Sequence, residues 1–184
     1  MEEFITAVGN GDIGTILDCI KSGVDVEAQN SSSWKALHYA CFYGHLHIVK
    51  YLMEKCGTNV AAKNNGRTAL HVTCKFGHLE IAQYLIKNFN VDIEAKDNFG
   101  IAALHFASYY GHLDIVQYLV EKCDADIAST TIWGATACEI AADNDESAVI
   151  DYLKKQPKRI QPAVQTDLQQ SSTPISKDNS SVRA

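Results

Sequence analysis

Apolar residues recur at helical spacing in three stretches of the chain. Leu46, Val49, Leu52 and Met53 fall on one face of a helix, as do Leu79, Ala82, Leu85 and Ile86, and again Leu113, Val116, Leu119 and Val120. Before each stretch stands a shorter helix-compatible segment that opens on Ala-Leu-His and closes on Gly-His. Gly44, Gly77 and Gly111 mark the break, because a positive φ at a helix end is most easily met by glycine. The pattern predicts pairs of short helices with the apolar stripes as core.

The pairs form a series. Ala-Leu-His recurs at Ala36, Ala69 and Ala103, and a degenerate Ala137-Cys138-Glu139 follows, at steps of 33, 34 and 34 residues. Gly11 lies 33 residues before Gly44, so "FITAVGNGDIGTILDCI" reads as an atypical first copy. A fixed period of this length is the signature of a stacked helical array.

These residues, above all "KNNGRTALHVTCKFGHLEIAQYLIKNFNVDIEAKDNFG", resemble the ankyrin repeat family. The resemblance covers Met1 to about Gln156, five copies with degenerate ends, and implies an all-α solenoid of stacked antiparallel helix pairs with β-turn fingers along one edge. It further implies a non-catalytic protein-binding module. Two departures stand out. The family's proline at the first helical position is alanine at Ala36, Ala69, Ala103 and Ala137, which keeps the helix but loses the preset φ. The finger asparagine that can be a hydroxylation substrate is replaced by Glu27, Ala61, Glu94 and Ala128, so that modification is not expected there.

Local chemistry agrees with the helix pairs. Thr68 and Thr136 stand where an N-cap oxygen should meet the first helix, whereas Lys35 and Ala102 lack that ability. The last copy loses both histidines and the glycine and gains Asp143, Asp145 and Glu146, as a solvated end cap would. From Pro157 onward the chain is rich in Gln, Ser, Pro and Asn, and a disordered tail over 157–184 is expected.

Composition narrows the function. With 16 Lys and Arg against 22 Asp and Glu the formal charge is −6, and no apolar run spans a bilayer, so neither nucleic acid nor membrane is an expected partner. The tail carries four basic and two acidic residues, which leaves −8 on the repeats and favours a protein partner with Lys or Arg at its rim. No leader pattern is visible at "MEEFITAVGNGDI", and six cysteines without a C-x-x-C pair suit reduced thiols, so an intracellular, cytoplasmic location is expected.

No catalytic motif, cofactor loop or metal spacing is present. His38, His71, His105, His45, His78 and His112 occupy two recurring positions, and the resemblance implies hydrogen bonds between backbone turns for them. His47 is unexplained. Cys41 and Cys74 share a small-residue slot, and Cys56 and Cys123 share the end of the second helix.

In the family the two residues before Gly-His line the concave face and the finger tips extend it. Those positions carry Phe42, Tyr43, Lys75, Phe76, Tyr109 and Tyr110, with Trp34, Arg67, Phe99, Ile101, Ile132 and Trp133 on the fingers. Aromatics and Arg are what interface cores favour, and this set is the candidate partner-binding site. The competing reading is that some rings fill space against neighbouring repeats, Tyr43 and Tyr110 first among them. The expected role is that of an adaptor, inhibitor or assembly factor, acting as a monomer. The alternative is a nuclear regulator of transcription or chromatin partners, with "KKQPKR" over 154–159 as an import signal; lysines at a helix C-terminus explain the same residues.

Overall fold

A computed structural model describes residues 1–30 and 33–156; the expected tail and residues 157–159 of the basic stretch lie outside them. The described residues form α1 (Glu2–Asn10), α2 (Ile13–Lys21), α3 (Ala36–Tyr43), α4 (Leu46–Glu54), α5 (Ala69–Lys75), α6 (Leu79–Phe89), α7 (Ala103–Tyr109), α8 (Leu113–Lys122), α9 (Ala137–Asp143) and α10 (Ser147–Lys155). Each odd helix and the even helix after it make one repeat, one to five along the chain. The first helices pack against one another more closely than the second helices do, so the stack curves around the first-helix side. The all-α solenoid expected from the sequence is what forms.

Each repeat breaks at its glycine. Gly44, Gly77 and Gly111 have φ of 77°, 77° and 70°. A second reason for glycine lies in the next repeat, whose histidine closes on it: a Cβ at Gly44 would stand 2.6 Å from the His78 ring, and one at Gly77 2.6 Å from the His112 ring. From the same contact His45 Nε2–H donates to Gly9 O, His78 to Phe42 O and His112 to Lys75 O, at 2.8, 3.0 and 3.1 Å. His47, unexplained by pattern, does likewise, donating to Gly11 O at 3.1 Å.

The expected core stripes need one correction. Val49, Leu52, Met53, Ala82, Leu85, Val116 and Leu119 are buried, but Leu46, Leu79 and Leu113 are only half-buried, as are Ile86 and Val120. Ile48, Ile81 and Ile115 take the deepest positions instead, at 1% exposure or less. The reason is that a second helix sits between its own first helix and both neighbouring pairs, so its buried arc is wider than one narrow stripe. Full burial of such an isoleucine stabilises by roughly 1.5–3 kcal/mol.

The one-residue difference in period has its cause in the fingers. Asn59 to Ala69 spans ten residues, whereas Asp25 to Ala36, Asp92 to Ala103 and Asp126 to Ala137 each span eleven. In the short finger Asn64 and Arg67 exchange two backbone hydrogen bonds of 2.8 Å around Asn65-Gly66, whose φ values of 48° and 81° make a two-residue hairpin turn. The longer fingers close around three residues, from Asp97 to Ile101 and from Thr131 to Ala135, with Gly100 and Gly134 in the left-handed region.

Fingers are also joined to each other. Glu27 Oε1 accepts the Asn59 N–H at 3.0 Å and Glu94 Oε1 accepts the Asp126 N–H at 2.9 Å. Alanine at Ala61 makes no such bond, so the joint between repeats three and four lacks this link. On the second-helix side, Tyr84 donates to Glu54 at 2.8 Å and Tyr152 to Glu121 at 3.0 Å. Burial and then the neighbouring carboxylate push both phenols up to about 12, which keeps them donors. The equivalent Tyr118 faces a repeat with Lys87 in the glutamate's place, so the same joint lacks this bond too.

Candidate partner interface

The N-termini of the first helices set the geometry of the first-helix face. Thr68 caps α5 and Thr136 caps α9, accepting from His71 and Glu139 N–H, while Lys35 and Ala102 offer no side-chain cap, as expected. The sequence reading missed the reverse bond. His71 Nδ1 accepts the Thr68 N–H at 2.9 Å, His105 Nδ1 accepts that of Ala102 at 3.1 Å, and Glu139 Oε2 that of Thr136 at 2.8 Å. The signal was Thr136-x-x-Glu139, a capping box in which glutamate replaces the histidine of the other copies.

The same histidines reach the next finger, His71 Nε2–H donating to Ala95 O at 2.8 Å and His105 to Ser129 O at 3.0 Å. Both bonds fix the neutral Nε2–H tautomer. Burial depresses the pKa of His38, His71 and His105, and their roles are structural. His38, at 1% exposure, holds the pattern more loosely: its ring lies against the backbone of Arg67 and of Ala62, the counterpart of Ala95 and Ser129, without close hydrogen-bond geometry at either nitrogen, and the Trp34 ring stands edge-on 6.0 Å away.

The candidate side chains divide into two groups. Trp34, Phe42 and Phe76 are half-buried and form a ring cluster, with Trp34 to Phe42 at 5.8 Å and Phe42 to Phe76 at 4.3 Å between centroids. Arg67, Lys75 and Ile101 are also half-buried. Tyr43, Phe99, Tyr109, Tyr110, Ile132 and Trp133 are exposed by 40% to 68%. Tyr43 and Tyr110, the rings expected first as filler, thus remain open on one side. Their other side stacks on the histidine two residues on, at 6.2 and 6.4 Å, and Tyr43 also covers Gly9.

Phe99 and Trp133 stack across neighbouring finger tips at 5.7 Å and 14°, and the Ile132 N–H donates to Phe99 O between them. Deeper in, Arg67 Nε donates to Asp97 Oδ2 at 3.2 Å and its guanidinium lies 5.0 Å over Phe106. Asp97 is a buried anchor, its Oδ1 accepting the Phe99 and Ile101 N–H groups. Phe106 and Ile140 complete this wall, and sequence reading did not name them. Tyr39, Val72, Phe106 and Ile140 recur with the repeat period, a column three residues before Phe42, Lys75 and Tyr109.

Burial raises the thiols of Cys41, to about 12, and of Cys74, Cys56 and Cys123 away from thiolate reactivity. Among the described residues no group of three or more His, Cys, Asp or Glu side chains could hold a metal ion, and no helix is long and apolar enough to cross a membrane.

The family described as ankyrin repeats matches residues 4–97 and again 89–165. The chain belongs to the ankyrin repeat family. It is 39% identical over 54 residues to mouse ankyrin repeat domain-containing protein 40, a stretch covering 29% of this chain and 15% of that protein. It is 41% identical over 57 residues to Notch-regulated ankyrin repeat-containing protein A of Danio rerio, covering 31% of this chain and 51% of that protein, and 42% identical over 49 residues to the human Notch-regulated ankyrin repeat-containing protein, covering 27% and 43%. The matched stretch thus spans about half or less of each of these relatives. Ankyrin repeats are protein–protein interaction modules, and the family is generally non-catalytic.

Proposed function

We propose that this chain holds one partner protein on the face made by its first helices and finger tips, and so works as an adaptor, an inhibitor that occludes its partner, or an assembly factor. The observation that carries this reading is the distribution of exposed apolar side chains. Among the described residues every large hydrophobic exposed beyond a third, Met1 apart, lies on that face: Tyr43, Phe99, Tyr109, Tyr110, Ile132 and Trp133. A solvent-exposed set of this kind on one side of a folded chain marks an interaction surface, and tyrosine and tryptophan bury large area at small entropic cost.

The test is crosslinking mass spectrometry on the tagged chain captured from its own cells, beside a Tyr109→Ala/Trp133→Ala variant whose circular dichroism matches the parent. One protein crosslinked to the first-helix face and lost with the variant supports the reading. Undiminished capture by the variant overturns it.

A further inference from the structure

Two adjoining hollows lie on the first-helix face and share the side chains of Arg67 and Lys75. One, of about 130 Å³, is bounded by Trp34, Phe42 and Phe76. The other, of about 200 Å³, is bounded by Ile101, Phe106 and Tyr109. Each has room for a single side chain. Between them the walls carry two cations and no carboxylate, in a chain whose formal charge is −6.

The two cations are not equivalent. Arg67 already meets the buried carboxylate of Asp97. Lys75 forms no ion pair among the described residues, and its Nζ stands 5.2 Å from the Phe76 ring centroid and 5.5 Å from that of Tyr110. Lys75 closes α5 at the position where repeats two and four carry Phe42 and Tyr109, so one charge interrupts a column of rings. Ring faces attract the ammonium without neutralising it. A wall of the first hollow also contains Asn64, 5% exposed, whose buried Oδ1 has no hydrogen-bond partner.

We propose that this face takes an extended acidic segment of the partner protein, in which one Asp or Glu side chain meets Lys75 and an apolar side chain on either side of it fills each hollow. The proposal rests on the protein-binding reading above and names the chemistry of the partner. It places an acidic residue at the centre of the contact, where the net charge of the repeats alone had pointed to a basic rim. A carboxylate at Lys75 is drawn in by an uncompensated charge flanked by apolar walls, where attraction is screened less than at an open surface.

The experiment is selection of a random peptide library displayed on phage against the full chain and its Lys75→Glu variant, with folding of both checked by circular dichroism. The parent is expected to enrich peptides with one acidic residue between apolar residues, and Lys75→Glu to exchange that residue for Lys or Arg. A peptide from the parent selection, made as a fluorescent probe, should bind Lys75→Gln roughly tenfold more weakly, the size of a substantial single contact. Enrichment without acidic preference, or the same peptides on Lys75→Glu, overturns the proposal. If no peptide is enriched while capture of the intact partner still depends on Tyr109 and Trp133, the acidic-segment proposal falls and the protein-binding reading stands; if that capture is also indifferent, both fall.

Discussion

His71 ties Ala95 to Thr68 through one imidazole: Nε2–H donates to the Ala95 carbonyl at 2.8 Å while Nδ1 accepts the Thr68 N–H at 2.9 Å. Only the neutral ring can do both. A proton on Nδ1 removes the acceptor of a buried N–H, and a charged ring would sit 1% exposed beside the cations Lys63 and Arg67, with Asp97 the nearby carboxylate.

Acid should therefore loosen the stack in a defined direction. Burial lowers the folded pKa of His71 and His105 below the unfolded value of 6.5, so the unfolded chain takes up these protons first. Their contribution is fully present above about pH 6.5 and is lost as pH falls through that value towards the folded pKa. Urea midpoints between pH 7.5 and pH 5 check this, as conditions of about that range bracket histidine titration. A His71→Asn variant should show a shallower fall than the parent; an equal slope would mean that His71 does not titrate in this window.

The joint between repeats three and four lacks two bonds made elsewhere, and one substitution can restore the first. Ala61→Glu should accept the Asp92 N–H as Glu27 accepts that of Asn59, and raise stability by about 0.5–1.5 kcal/mol. Ala128→Glu is the control, since the described residues hold no further finger for it to meet. Equal urea midpoints for Ala61→Glu and the parent would refute the link as a source of stability.

Gly44→Ala should be among the most damaging changes of a single methyl group. The residue has φ 77°, which costs an L side chain roughly 1–2 kcal/mol. The new Cβ would also stand 2.6 Å from His78 and disturb the bond to Phe42 O. Gly57, also at positive φ but with open space around its missing Cβ, separates the two effects. Thermal unfolding of both variants should show the larger loss at Gly44.

The helix pairs were legible because each repeat spells its own boundaries: Ala-Leu-His opens a helix that Gly-His closes, and the Gly-His histidine recurs because each copy bonds back to the adjacent repeat, as His78 does to Phe42 and His112 to Lys75. What escaped depends on neighbours. The pattern of Leu46 and Val49 does not reveal that Ile48 faces inward, because that depends on how the pairs flank it. The one-residue difference in period was visible, but its cause, a two-residue turn at Asn65-Gly66, emerges only once Asn64 and Arg67 are seen to pair. The candidate face was legible as a set of positions. Which rings are free was not, because Phe42 and Phe76 meet across two repeats while Tyr43 and Tyr110, next to the glycine, are held open by the histidines beneath them.

That division among the rings gives the last prediction. Phe42 touches Trp34, Tyr43 and Phe76, and its carbonyl accepts from His78. Phe42→Ala removes a ring that stitches repeats two and three and should cost roughly 2–4 kcal/mol, near the lower end of large-to-small core changes because the site is half-buried. Trp133, 68% exposed at a finger tip, has Phe99 as its ring contact, and Trp133→Ala should change stability by no more than about 1 kcal/mol. A binding defect in Phe42→Ala thus mixes lost contact with a loosened stack, whereas one in Trp133→Ala reports contact alone. Urea denaturation of the two variants, run before any capture experiment, decides the matter: equal losses of stability would mean that the finger tips are as much part of the packed array as the ring cluster is.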